Sequence, residues 1–385
     1  MKKNLIASLL VIAGFFAPVS ALSWSGLIDN NTKFSENHDF SELKLNQSNG
    51  LYLSLTSPIN DNLSFGGEIL YKFVLDANFK ANANSVKHIV DCDLLQLTGN
   101  WLAGNGILGL KVGRFYAHDL TGAAFSQTSD GLSLSYNLSK ISLNFYAGYT
   151  GLLNRLNVSM ADNSAAAALD GRPANDVMIY ALCPMYIPVI ADFSYNTLFQ
   201  KHTLGFEAEM FIPVNAMLSN KFYGTLSLKG PFSTTVGYDA AFTFGLLKFE
   251  MFMFDANANI NLYMVKNSMI TAGCELISWT NGSLIAFAPV SSRSFTADPS
   301  FAGGLLPKLS FMFAKNAFYG SLTGKGVIAM GASDAKFHGI DISASAIYNL
   351  LSDVQLACDL AAFIGLDAFR QSSNYSATIK ACLAF

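Results

Sequence analysis

The sequence predicts an all-β protein, a transmembrane antiparallel up-and-down β-barrel of about 18 strands, with 16 to 20 as the range. Three observations lead to this fold class. Residues 375–385 alternate between apolar and polar side chains, as in a strand with one face in an apolar medium. The chain is 51% hydrophobic and only 13% charged, about half the usual charged share. After residue 21 it nevertheless contains no apolar run of the length that a spanning helix requires.

The first 21 residues have the pattern of a cleaved signal peptide. Lys2 and Lys3 give a positive start, residues 5–17 form an apolar stretch, and residues 19–21 supply a cleavage site. The apolar stretch is shorter than the ~20 residues of a spanning helix, which argues against a membrane anchor. We therefore expect a signal peptide at 1–21 and a single barrel domain at 22–385.

Strand segments and turns follow one another along the first half of the chain. The clearest segments are 22–28, 43–56, 62–75 and 94–97. The connections that follow alternate in length, with a tight turn at 103–106, a long loop at 117–129, a tight turn at 137–140 and the longest loop at 151–175. Bacterial membrane barrels alternate short periplasmic turns with long extracellular loops, so both termini are expected on the periplasmic side.

The second half is harder to divide into strands. Between 176 and 280 the segments alternate well, but the turns between them are all short, and we expect a strand at 234–244 and another at 247–254. Beyond 281 a long segment, 289–304, is followed by predicted strands at 307–313, 319–330, 340–348 and 354–365 and by the closing strand. One barrel without an appended soluble domain is the simplest division.

Charged residues on the polar parity of these strands are expected to face the interior, because a Lys or Arg facing lipid at the midplane costs ~2–4 kcal/mol. The predicted pore-lining residues are Glu68, Lys72, Lys111, Glu207, Glu209, Lys229, Asp239, Lys248, Glu250, Glu275, Lys308, Asp341, Asp359 and Lys380. Such a mixed lining favours neither ion sign strongly. Alternatively, these charges pair across strands as internal struts, as expected of a narrower barrel.

The longest loop is a candidate for a constriction inside the barrel. It carries both charge signs, in Arg155, Asp162, Asp170 and Arg172. Such a loop either folds into the lumen or stays a mobile extracellular loop.

Composition excludes several other classes of protein. The net charge of −3 is too small to indicate a nucleic-acid partner. The five cysteines lie far apart without a C-x-x-C motif, so neither a disulfide framework nor a metal site is expected, and no cofactor motif is present. Residues 255–259 resemble the start of a calcium loop, but Ile260 replaces the required glycine and Lys266 the glutamate, so we interpret them as an Asn-rich turn.

Two features resemble bacterial outer-membrane barrels. The closing strand, with Tyr375, Ile379, Leu383 and the terminal Phe385, is similar to the signal that the barrel-assembly machinery reads during insertion. Residues 112–116, 130–136 and 143–149 resemble the strand, loop and Asp-Gly strand pattern of porins. The resemblance implies a protein of the bacterial outer membrane, in contact with its lipid, through which small hydrophilic solutes diffuse passively. Porins are commonly trimers, so a homo-oligomer is compatible with it.

Two other functions fit the same fold. The aromatic segments 242–254 and 311–318 would permit a selective transporter of a hydrophobic molecule, although they also fit lipid-facing or interfacial positions. A structural or adhesive surface barrel with a blocked lumen is the other alternative. Catalysis is not expected, because none of the five histidines stands in the H-x-S setting of barrel phospholipases, and the adjacent pair His118-Asp119 lies at the root of a loop, where two neighbouring residues are usually solvated.

Overall fold

The structure, a computed structural model, describes residues 22–39, 42–162, 179–199, 201–264, 267–331 and 334–385. The predicted signal peptide lies outside these ranges. The strands are β1 Ser23–Asn37, β2 Lys44–Asn60, β3 Leu63–Asn78, β4 Ala83–Ala103, β5 Gly106–His118, β6 Ser126–Asn137, β7 Ile141–Tyr149, β8 Tyr186–Leu198, β9 His202–Pro213, β10 Lys221–Pro231, β11 Val236–Leu247, β12 Met251–Met264, β13 Ser268–Ile277, β14 Gly304–Lys315, β15 Phe318–Met330, β16 Ala335–Asn349, β17 Val354–Gly365 and β18 Asn374–Ala384. A 3-10 helix, Asp367–Ser372, precedes β18.

These strands form one closed antiparallel cylinder. Each strand pairs with its neighbour in sequence, and β1 pairs with both β2 and β18. The predicted fold class, an all-β up-and-down barrel of 18 strands, is confirmed. The start of β1 and the end of β18 lie at one end of the cylinder, here called the terminal end; the opposite end, here called the loop end, carries the longer connections.

The outer surface of the cylinder is apolar. Along a strand, large exposed side chains alternate with buried ones: Ile69 is 58% exposed, whereas the next residue, Leu70, is fully buried. Other large apolar side chains are exposed to a similar degree, among them Leu226, Leu309 and Ile379. An apolar band of this kind on a closed barrel matches the lipid-facing surface expected of a membrane-spanning cylinder. Among the described residues, no helix is long and apolar enough to cross a membrane.

Some segments differ from their predicted structure: β1 and β4 extend well beyond the predicted 22–28 and 94–97. Residues 278–303 contain no strand of the barrel and form a long loop between β13 and β14, which includes nearly all of the long segment 289–304. Residues 255–259, expected to form a turn, lie inside β12. A carboxylate on β11 holds Asn259 of this stretch and the nearby Asn261: Asn259 Nδ2 donates to Asp239 Oδ2 at 2.6 Å, and Asn261 Nδ2 donates to Asp239 Oδ1 at 2.9 Å. These cross-strand hydrogen bonds stabilise the polar residues within the strand.

The seam between the first and last strands is closed by the terminal residue. Gly26 N donates to Phe385 O at 2.7 Å, and Phe385 N donates to Gly26 O at 2.9 Å. The Phe385 ring covers Gly26, where any Cβ atom would overlap the ring. The glycine therefore makes room for the terminal aromatic residue, which continues the strand pairing beyond Ala384.

Candidate functional site

Three loops from the loop end fold into the barrel. They are residues 119–125 between β5 and β6, residues 150–162 of the β7–β8 loop, and residues 278–303 between β13 and β14, here called the inner loops. They bond to one another: Val290 N donates to Ala124 O at 2.8 Å, and Ala161 N donates to Val290 O at 3.0 Å. Ala124 and Val290 are fully buried. The inner loops thus form one connected structure within the cylinder.

The β13–β14 loop crosses the interior from one wall to the other. It bonds to side chains of strands far apart around the barrel. These contacts are Tyr223 Oη to Ala288 O at 2.6 Å, Arg293 Nη1 to Asp255 Oδ2 at 2.6 Å, Lys325 Nζ to Phe295 O at 3.0 Å, Ala297 N to Asp341 Oδ2 at 3.0 Å, and Asn374 Nδ2 to Ala297 O at 2.8 Å. Because the wall residues of these bonds lie on β10, β12, β15, β16 and β18, the loop occupies part of the barrel interior.

The β7–β8 loop also crosses the interior. Lys72 on β3 donates from Nζ to Asn157 Oδ1 at 2.8 Å. Lys221 on β10 donates from Nζ to Asp162 Oδ2 at 2.9 Å, and the hydroxyl of Tyr186 donates to the same oxygen at 2.8 Å. Since β3 and β10 are seven strands apart in the sheet, residues 157–162 run between distant walls.

The predicted constriction residues divide into two groups. Asp162 has the wall contacts given above, and the backbone N of Arg155 donates to Ala181 O at 2.8 Å. Asp170 and Arg172 lie outside the described residues. The described part of the predicted loop therefore lies in the interior, while its role as a constriction remains a prediction.

An apolar cluster joins the inner loops to the wall. Phe125 of the first inner loop is fully buried, and its ring centre lies 5.4 Å from that of Phe211 on β9. Phe211 in turn packs against Tyr223 on β10, with 5.8 Å between ring centres. The inward parity of β9 and β10 thus carries buried aromatic side chains as well as charged ones. Buried aromatic residues stabilise loop docking through both area and ring geometry.

Most of the predicted pore-lining side chains lie on the inward face of their strands, the face that contacts the inner loops. Twelve have this position: Glu68, Lys72, Lys111, Glu207, Glu209, Lys229, Asp239, Glu275, Lys308, Asp341, Asp359 and Lys380. The placement of Lys248 and Glu250 on strands is wrong. They flank Phe249 in the exposed turn between β11 and β12, where Lys248 and Phe249 take positive φ angles of 56° and 59°. Such angles end both strands.

Several inward charges were missed by sequence reasoning. Lys325 lies directly opposite Lys308 in the register of β14 and β15, and Arg293 also bonds to Glu275. With Glu275, these residues border a polar cavity of about 230 Å³. A second cavity, of about 550 Å³, lies between the β13–β14 loop and the wall that contains Lys33. Alternation along β15 would have identified Lys325, whereas no strand pattern points to Arg293, which belongs to a loop.

One grouping of Ser, His and Asp lies at the barrel wall, but its geometry does not suit catalysis. His338 Nδ1 is 2.7 Å from Asp298 Oδ2, and Ser300 Oγ lies 3.5 Å from the same nitrogen. Ser300 Oγ also donates to Asp298 Oδ1 at 2.7 Å. A nucleophilic serine needs one ring nitrogen while the carboxylate orients the other. Here Asp298 and Ser300 both face Nδ1 of His338. The Ser300 hydroxyl is instead held by Asp298, two residues earlier in the same turn.

Cys183 in the β7–β8 loop is 2% exposed, and burial raises the pKa of its thiol to about 12. We expect Cys183, as the single cysteine of a variant, to resist maleimide at pH 8, because the thiolate fraction there is on the order of 10⁻⁴ and the sulfur is covered. Mass spectrometry before and after denaturation measures the modification. The matched control is S294C in a cysteine-free background, at an exposed loop position, which should react readily. Equal rates for the two folded variants would contradict the burial of Cys183.

Several solved structures of Pseudomonas aeruginosa proteins superpose on this fold. OccK5 (OpdH) superposes with a TM-score of 0.62 at 12% identity, over 95% of this chain and 98% of that one. OccK3 (OpdO) gives 0.61 at 13% identity, over 98% and 99%. The outer membrane protein opdK gives 0.61 at 10% identity, over 95% and 99%. No family model matches the sequence, and no curated protein matches it. The expected resemblance to outer-membrane porin-like barrels is thus confirmed at the level of the fold.

Proposed function

We propose that the protein is a channel of the bacterial outer membrane for small hydrophilic solutes, narrowed by its inner loops. The observation that carries the proposal is the β13–β14 loop, which crosses the interior and leaves polar cavities beside it. Charges of both signs, from Glu275, Arg293, Lys308 and Lys325, border one of these cavities. A polar lining holds water, and a narrow polar passage selects solutes by size and hydrogen bonding.

The outer surface supports the location. Its apolar side chains suit contact with lipid, and the terminal Phe385 completes the closing strand. Under this proposal, residues 1–21 direct export and are removed, and the barrel-assembly machinery inserts the mature chain. The proposed role is transport without catalysis. The mass of the detergent-solubilised protein would show whether it forms a homo-oligomer.

The purified protein is expected to give discrete conductance steps in planar bilayers and to admit monosaccharides into liposomes. Because the inner loops leave only part of the barrel cross-section, a trisaccharide should enter at roughly one tenth of the monosaccharide rate. Liposome swelling with sugars of graded size measures this ratio, with protein-free liposomes as the control. Absence of both conductance and swelling for a correctly folded barrel would favour the alternative of a surface barrel with a blocked lumen.

A further inference from the structure

Three carboxylates meet at the point where the first inner loop touches the wall. Asp119 is the first residue after β5, and Glu207 and Glu209 project inward from β9. All three are buried, with exposures of 1%, 7% and 1%. An oxygen from each lies within 4.8 Å of an oxygen of the other two. Residues far apart in sequence thus bring negative charges together inside the protein.

Two of these carboxylates are held in place by backbone groups. Asp119 Oδ2 accepts hydrogen bonds from the N–H groups of Ala124 at 2.7 Å and Phe125 at 2.6 Å, and Asp119 Oδ1 accepts others from the same loop. Glu207 accepts from Leu120 N, at 2.9 Å and 2.8 Å to its two oxygens. The side chains are therefore fixed with their charges facing one another.

Glu209 has no such partner in the part of the chain that the structure describes. Both of its oxygens are buried without a hydrogen bond. The neighbouring charges that act on Glu209 come from Asp119 and Glu207, and Glu207 also lies near Asp192, so all of these are negative. A buried ionised carboxylate is strongly unfavourable unless a proton or a cation neutralises it. The structure therefore contains an unsatisfied requirement for positive charge at this point.

We propose that Asp119, Glu207 and Glu209 bind a divalent cation, and that the ion is Ca²⁺. Calcium takes oxygen ligands at about 2.3–2.6 Å, so oxygens on opposite sides of the ion lie about 4.6–5.2 Å apart. The spacing of the three carboxylates agrees with one coordination sphere. The sequence predicted no metal site, because the ligands come from a loop and a strand separated by about 90 residues and follow no local motif.

The ion would fix the first inner loop to β9. That loop in turn holds the β13–β14 loop, since Ala124 O accepts from Val290 N at 2.8 Å and from Ser291 N at 3.1 Å. Ser126 N also donates to Ser291 Oγ at 2.9 Å. Cation binding thereby stabilises the arrangement of the inner loops as well as one carboxylate cluster.

Equilibrium dialysis of the full-length, detergent-solubilised protein against radioactive Ca²⁺ tests the proposal. We expect one tightly bound ion per chain and a higher unfolding temperature in Ca²⁺ than in a chelator. Glu209→Gln should weaken binding by roughly tenfold or more, because it removes one charged ligand. The matched control is Asp61→Asn, in the exposed turn between β2 and β3, which should bind as the wild type does.

The wild-type measurement is decisive even if Glu209→Gln fails to fold. A wild-type chain that takes up no Ca²⁺ at millimolar concentration, and whose unfolding temperature is the same in chelator, would overturn the proposal and indicate a protonated cluster. Unchanged binding by a folded Glu209→Gln variant would overturn the assignment of the ligands. Both tests are independent of whether the barrel conducts.

Discussion

Replacing residues 279–302 by a two-residue Asn-Gly turn is expected to raise the single-channel conductance roughly twofold or more. The hairpin can be closed in this way because Ile277 and Gly304 are register partners at the ends of β13 and β14. The removed segment is the one that bonds to the walls at β10, β12, β15, β16 and β18. Without it, the cross-section open to ions is larger.

A matched control shortens a connection that lies outside the interior. Asn78 and Ala83 are register partners, so the exposed turn between β3 and β4 can also be replaced by Asn-Gly. This variant should conduct as the wild type does. Planar-bilayer recordings compare the three proteins, after heat-modifiability on gels has shown that each barrel is folded. A deletion variant with wild-type conductance would show that the β13–β14 loop does not limit the passage.

Arg114→Ala is expected to destabilise the folded barrel by ~3–5 kcal/mol, the range for breaking a buried charge pair. The guanidinium uses all five of its N–H donors, and its side chain is 10% exposed. The acceptors are Asp130 Oδ1 and Oδ2, both at 2.8 Å, Asp91 Oδ1 at 3.2 Å, Cys92 O at 3.0 Å and Leu152 O at 2.8 Å. Removing Arg114 leaves the Asp91 carboxylate, 2% exposed, without this cation.

The position of Arg114 increases the expected effect. The Leu95–Arg114 pair is the last between β4 and β5 toward the loop end. Beyond it, β4 bonds to the β7–β8 loop instead, with Val90 N donating to Ile179 O at 3.2 Å and Asn154 Nδ2 donating to Val90 O at 3.2 Å. Arg114 therefore holds together β4, β5, β6 and the loop where the wall divides.

Urea titration of the barrel refolded in detergent measures the free energy of unfolding of each variant. Arg114→Lys should lose less than Arg114→Ala, because lysine keeps the charge but cannot reproduce the bidentate bond to Asp130. Lys44→Ala is the control for an exposed pair with Glu42, worth under about 1 kcal/mol. A loss from Arg114→Ala no greater than that of Lys44→Ala would contradict the proposed role.

Alternation was sufficient to predict the barrel because each strand has one face toward an apolar surface. This local signal gave the strand number and the inward parity of residues such as Glu207 and Asp359. It failed at Lys248 and Glu250, because an alternating pattern continues unbroken through a tight turn and carries no mark of where the chain reverses.

The interior could not be predicted in the same way. The contact between Ala124 and Val290 joins residues far apart in sequence, and no local periodicity records it. Phe211 and Tyr223 face inward because the inner loops offer them an apolar partner, which the strand pattern alone does not reveal. The carboxylates of Asp119 and Glu209 likewise meet only in the folded chain.

The bonds between Gly26 and Phe385 show that the cylinder closes between its first and last strands. Because the cylinder is completed by its two outermost strands, any fragment that stops short of the last strand leaves β1 with a row of unpaired amides and carbonyls. Such an edge recruits other chains and promotes aggregation. A chain truncated before β18 is therefore expected to aggregate rather than to form a closed barrel.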